Sequence, residues 1–154
     1  MANARLKMLF TKDLKSLEDT QSLAKEILTL IKSSRNLIGL QGDMGSGKTH
    51  FVKALAQELG MSSQDANSPS YAIHQQYEST HWVLHHLDLF RLQTEEEIES
   101  SGFWDLFYED QVIMAVEWID RIDDSQIPQN FFYLRLDWQV LPDGTRRVQV
   151  LGSL

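Results

Sequence analysis

The segment Gly42-Asp43-Met44-Gly45-Ser46-Gly47-Lys48-Thr49 fits G-x-x-x-x-G-K-[ST], and each fixed position has a chemical task. Glycines let the backbone take positive φ and turn successive N–H groups toward phosphate oxygens. A helix starting near Lys48 adds the positive end of its dipole and N–H groups that have no acceptor within the helix. The Lys48 ammonium would lie on the β and γ phosphates, and the Thr49 hydroxyl on Mg2+. The ligand this pattern implies is a nucleoside triphosphate, as Mg-ATP.

Such a loop needs a carboxylate at the end of a neighbouring strand to hold the cation. Glu117 ends the apolar run Val112-Ile113-Met114-Ala115-Val116, and Asp88 ends the more polar Val83-Leu84-His85-His86-Leu87. Both would stand at carboxyl ends of strands, the edge where open α/β sheets bind ligands. The spacing leaves their roles open. One would bind Mg2+, directly or through water, and the other would orient a second metal-bound water or the attacking water.

The elements that must position these groups are legible in the periodicity. Ser16–Ile31 reads as a helix with an apolar face of Leu23, Ala24, Ile27, Leu30 and Ile31, started by Ser16 and Asp19 in the manner of a capping box. Leu37–Leu40 reads as a buried strand, and Lys48–Leu59 as a second helix stopped at Gly60. Met61–Ser70 is expected to be a polar loop, followed by strands at Tyr71–Tyr77 and Trp82–Leu89 and a helix started by Thr94 with Glu97. Val112–Val116 has the continuous apolar character of a strand buried on both faces. Phe131–Val140 and Arg146–Leu151 flank a Pro142-Asp143-Gly144 turn, a hairpin signature. The order implies an α/β three-layer sandwich around a mixed, largely parallel central sheet, parallel where the glycine-rich loop sits. With 154 residues and neither repeat nor linker, one domain over 1–154 is expected.

Composition narrows the function classes. Twenty-two acidic and 14 basic side chains give a net charge of −8, which argues against strong direct nucleic-acid binding. No apolar stretch approaches the length of a membrane span, and Met1–Phe10 lacks the apolar region of a secretory leader. The chain has no cysteine, so disulfides and thiolate metal sites are excluded. A cytoplasmic location is the expectation. His85 and His86 alternate faces on a strand and cannot share one ion, which argues against a histidine metal site with His74 or His81. The four tryptophans suit core packing. Glu95-Glu96-Glu97 and Glu99 suit a solvated helix face, and Arg91 suits an ion pair as well as a catalytic role.

Four segments in a fixed order then point to a family. Gly42–Thr49 is close to GDLGAGKT, and Asn67-Ser68-Pro69-Ser70-Tyr71 to an SPTY loop. His86-Leu87-Asp88-Leu89-Phe90-Arg91-Leu92 is close to HxDLYRL, and Val116-Glu117-Trp118 to VEW. Over about Ser16 to Val150 the chain resembles the TsaE (YjeE) family of small bacterial ATPases in threonylcarbamoyladenosine tRNA modification. The resemblance implies a P-loop NTPase fold. It also implies ATP hydrolysis coupled to the partner proteins TsaD and TsaB, with tRNA reached through that complex. Hydrolysis in isolation is expected to be slow, because nothing in this short chain supplies a closed, dry site. Carried over by motif, Lys48 and the loop Asp43, Met44, Gly45, Ser46 and Gly47 hold phosphates, while Thr49 and Glu117 hold Mg2+. Asp88 is the further essential acid, acting through water. Trp118 packs near the nucleotide or a moving loop, and Thr20 lies near the base.

Two positions depart from the family: His50 replaces a second hydroxyl after Thr49, and Ser70 replaces the threonine of the SPT loop. A small-molecule kinase is the rival enzyme reading, but the arginines after the loop are not clustered as a lid. A GTPase would carry Asn-Lys-x-Asp, which is absent. A nucleotide-gated adaptor would differ only in turnover.

Overall fold

A computed structural model describes residues 6–32, 34–64 and 73–153. In chain order it contains β1 (Lys7–Leu14), α1 (Leu17–Leu30), β2 (Arg35–Gln41), α2 (Lys48–Glu58), β3 (Ser62–Gln64), β4 (Ile73–Glu78), β5 (Val83–Asp88), α3 (Glu95–Ser100), β6 (Val112–Glu117), β7 (Phe132–Val140) and β8 (Arg146–Gly152). Short 3-10 turns at Phe103–Tyr108, Ile119–Arg121 and Asp124–Gln126 complete it.

The most apolar strands lie at the centre. Every residue of β6 is buried, as are the five inner residues of β2, because both faces of these strands are covered. The sheet order is β1-β8-β7-β2-β6-β5-β4-β3. The four strands β7-β2-β6-β5 run parallel, and antiparallel pairs extend the sheet on each side. The mixed sheet expected from the sequence is therefore present, with its parallel part at the loop that follows β2.

Helices α1 and α2 cover one face. Leu23, Ala24 and Ile27 of α1 and Phe51, Val52 and Leu55 of α2 are fully buried against Ile38, Leu84, Ile113 and Leu134. Each large side chain so buried contributes about 1.5–3 kcal/mol. The other face is covered by α3 and the 3-10 turns, through Ile98, Phe103, Phe107 and Ile119 on Leu37, Met114 and Val116. Three layers result.

The expected helix starts are also present. Ser16 accepts a hydrogen bond from the Asp19 amide and Thr94 from that of Glu97. The carboxylates reply one residue early, Asp19 accepting from the Lys15 amide and Glu97 from that of Gln93.

Two strands differ from expectation. β1 closes one edge of the sheet against β8, where its mixed exposed and half-buried pattern carries little strand signal. The polar loop expected at Met61–Ser70 begins instead with β3, a three-residue strand on β4, too short to show periodicity. Tyr71, the expected first residue of the next strand, lies outside the described residues.

Candidate functional site

β2 delivers the chain to Gly42 at the carboxyl edge of the parallel strands. Gly42 has φ +146°, and a Cβ there would lie 2.6 Å from the Trp138 carbonyl oxygen of β7. Gly47 has φ +108° and caps α2, with Arg146 of β8 packed 3.2 Å from where its Cβ would be. Positive φ favours glycine at both positions, and at Gly42 the close approach of the Trp138 backbone requires it as well. The loop so shaped leaves the first N–H groups of α2 without intrahelical acceptors at the mouth of a cavity of about 530 Å³. Lys48, Thr49, Asp88, Glu117, Trp118 and Thr20 all line that cavity.

The side chains converge there from four elements. Parallel pairing of β5 with β6 sets Asp88 directly opposite Glu117. Glu117 is 5% exposed, and its Oε2 accepts from the Thr49 hydroxyl at 2.9 Å. The same oxygen lies 2.6 Å from Nε2 of His86. Lys48 is 4% exposed, donates from Nζ to the Gly42 carbonyl, and lies 4.6 Å from the centre of the Trp118 ring. Trp118 has φ +61°, an unfavourable conformation for a bulky residue that aims its ring over the lysine and 5.1 Å from the Phe90 ring. Asp88 accepts the Phe90 amide at 2.9 Å, which fixes the chain as it leaves β5.

The electrostatics follow from this crowding. Burial alone would raise the Glu117 pKa. The hydrogen bond from His86, the His86 charge, the Thr49 hydroxyl and the Lys48 charge outweigh it, and the carboxyl stays below its usual range. Burial lowers Lys48, against the pull of Glu117, Asp88, Asp120 and Asp43.

The donor set fits Mg2+, which takes oxygen ligands and typically one or two carboxylates plus substrate phosphates. Thr49 gives its hydrogen to Glu117, so its oxygen lone pairs are free for a cation. Ser46 Oγ is buried in the loop without a hydrogen-bond partner among the described residues. No cluster of three or more His, Asp or Glu forms a closed metal cage among the described residues, so phosphate oxygens and water would complete the shell.

Of the other residues singled out from sequence, Gly45 and Met44 line the cavity, Met44 with 72% of its surface exposed. Asp43 is exposed, and its carbonyl accepts the Ser46 amide. Thr20 is buried on α1, and it shares with Leu17 and His50 the wall between the cavity and a groove of about 380 Å³ between α1 and α2. Arg91 is exposed. The Asn67–Tyr71 segment lies outside the described residues.

His85 and His86 do point to opposite faces. His85 bonds to His74 and Glu109 at 2.9 Å each, and His86 to Glu117. Sequence reasoning assigned no site role to His86, although its alternation with Asp88 puts both on one face of β5. It also missed Arg146, which donates to the Gly45 carbonyl at 3.3 Å from a strand 101 residues further on. An arginine at a strand start, here the first of the pair Arg146-Arg147, carries no signal of that contact.

Residues 14–148 match the family model described as "Threonylcarbamoyl adenosine biosynthesis protein TsaE". The tRNA threonylcarbamoyladenosine biosynthesis protein TsaE of Aquifex aeolicus is 36% identical over 138 residues, 89% of this chain and 92% of that protein. The protein of the same name from Borreliella burgdorferi is 42% identical over 113 residues, 73% of this chain and 79% of its own. The crystal structure of Bacillus subtilis YdiB superposes with a TM-score of 0.72 at 25% identity, covering 97% of this chain and 88% of YdiB. With the family model spanning residues 14–148, which run from the end of β1 into β8, this chain belongs to the TsaE family of threonylcarbamoyl adenosine biosynthesis proteins.

Proposed function

We propose that this protein binds and hydrolyses Mg-ATP at the Gly42–Thr49 loop, as the ATPase subunit of tRNA threonylcarbamoyladenosine formation, acting with TsaD and TsaB. One observation carries the reading. The loop lysine, the loop threonine and two strand-end carboxylates meet in one cavity, with Thr49 already hydrogen-bonded to Glu117 across 68 residues of chain. Phosphoryl transfer demands chiefly positioning and charge neutralisation, and those are the tasks these groups can perform.

In this reading the α2 N-terminus and the loop from Asp43 to Gly47 orient the phosphates, and Lys48 leaves Gly42 to neutralise their charge. Thr49 and Glu117 hold Mg2+, which when bound neutralises phosphate charge and fixes its geometry. Asp88, across from Glu117, orients water. Thr20 borders the base, and the Trp118 ring covers the phosphate end.

The role with TsaD and TsaB is supported by family membership and by the acidic surface. A chain of net charge −8 is better suited to reach tRNA through partners than directly. Hydrolysis by the isolated protein is slow, because the cavity is open at its mouth and water is not excluded.

The test is Mg-ATP turnover by the pure protein, with and without the matching TsaD–TsaB pair, and with Lys48→Ala as control. Stimulation by the pair that disappears in Lys48→Ala is the expected result. Tight ATP binding without turnover in either condition would replace the ATPase by a nucleotide-gated adaptor.

A further inference from the structure

His86 is buried in the middle of the sheet at 4% exposure, an unusual place for a polar ring. Its two nitrogens are used very differently. Nε2 lies 2.6 Å from Glu117 Oε2, while Nδ1 is buried without a hydrogen-bond partner among the described residues. A buried polar atom left unpaired is costly, so nothing in the sheet itself accounts for a histidine here. The whole hydrogen-bonding capacity that this ring realises is directed at one carboxylate.

The register explains how it reaches. His86 stands opposite Ala115 on β6, and Glu117 is two residues further along the same face. A diagonal pair of this kind is within reach of long side chains, and the small alanine leaves the path open. Glu117 is ionised and can only accept, so Nε2 carries the hydrogen. Glu117 Oε2 then takes two donors, His86 and Thr49, and Oε1 is the oxygen left to turn toward the cavity.

We infer that His86 is a positioning residue that fixes the Glu117 carboxylate from behind, so that Oε1 and the Thr49 oxygen present a preformed face to the divalent cation. This rests on the reading of the cavity as a Mg-ATP site. Groups that orient a metal ligand without touching the metal commonly contribute about 10–100-fold to metal affinity. Without His86 the carboxylate keeps, among the described residues, only the Thr49 hydrogen bond and gains freedom to rotate. Cation binding must then order it, while phosphate binding by the loop is unaffected.

The experiment is isothermal titration of ATP into the full chain, once with Mg2+ and once in EDTA, with melting curves as a check on folding. The unaltered protein gains affinity from Mg2+. In His86→Leu that gain falls by about 10–100-fold, whereas affinity in EDTA stays nearly the same. His86→Gln, whose amide reaches where Nε2 lies, recovers most of the gain. If His86→Leu does not fold, His86→Gln and His86→Asn carry the comparison, the longer amide keeping the gain and the shorter losing it. An equal loss with and without Mg2+, or an unchanged gain in His86→Leu, would overturn the inference and leave the nucleotide site standing. Absence of ATP binding by the unaltered protein in both conditions would overturn the proposed function, and this inference with it.

Discussion

Gly42 joins β2 to the phosphate loop, and its replacement by alanine has a cost that can be worked out from its surroundings. A Cβ at this position would lie 2.6 Å from the Trp138 carbonyl oxygen and 2.8 Å from the Trp138 Cβ, both too close for any real contact. Neither neighbour can yield easily, because Trp138 is 5% exposed on β7 and its ring packs on Phe51. Overpacking of this kind costs about 1–3 kcal/mol. The φ of +146° adds backbone strain of about 1–3 kcal/mol.

Gly42→Ala should therefore lose roughly 4 kcal/mol, or about 8–16 °C in Tm for a chain of this size. Two controls separate the contributions. Gly45 has φ +78° with nothing within 4 Å, so Gly45→Ala meets strain alone, about 1–2 kcal/mol. Gly39 lies in β2 with Ile119 Cγ1 at 2.7 Å, so Gly39→Ala meets crowding alone, about 1–3 kcal/mol. Urea denaturation of the three variants measures the order. If Gly42→Ala is no less stable than Gly45→Ala, the contact with Trp138 does not constrain the loop and the reasoning fails.

Two further predictions concern titration and the site. Burial first, and then the neighbouring His85, lower the His74 pKa to about 4. The folded value lies below the unfolded one, so this contribution to stability is complete above about pH 6.5 and is lost as pH falls toward 4. The shift corresponds to about 3 kcal/mol, and since His74 is only half-buried, solvent screening brings the expected loss to about 1–2 kcal/mol. Urea denaturation at pH 7 and pH 4.5 should show that loss, and His74→Gln should remove it; a pH dependence unchanged in His74→Gln would refute the assignment. Second, Lys48 and Arg121 both lie over the Trp118 ring, and phosphates would draw Lys48 away. Addition of Mg-ATP should change the indole emission, and Trp118→Phe should abolish most of the change while Trp138→Phe retains it.

The sequence by itself determined the loop, its helix and the strands around them, because local physics writes these directly. Gly42–Thr49 needs glycine at positions of positive φ, and α2 shows its apolar stripe at Phe51, Val52 and Leu55 whatever it packs on. β6 is legible as a strand covered on both faces because Val112–Val116 is a continuous apolar run, and all six residues of the strand are buried. Glu117 and Asp88 could be chosen because each ends a strand, and the pairing of β5 with β6 does set them side by side.

Only the tertiary structure decided what these groups touch. The Trp118 ring over Lys48, Arg146 against the loop, and His86 behind Glu117 depend on strand register and on the β7–β8 hairpin bringing Arg146 back to Gly45, 101 residues earlier. β1 was illegible for the same reason: its order comes from the ladder with β8, not from its own periodicity. Period and spacing state which face a side chain takes. Which partner waits on that face is set by long-range pairing, whose energy appears only when the sheet closes.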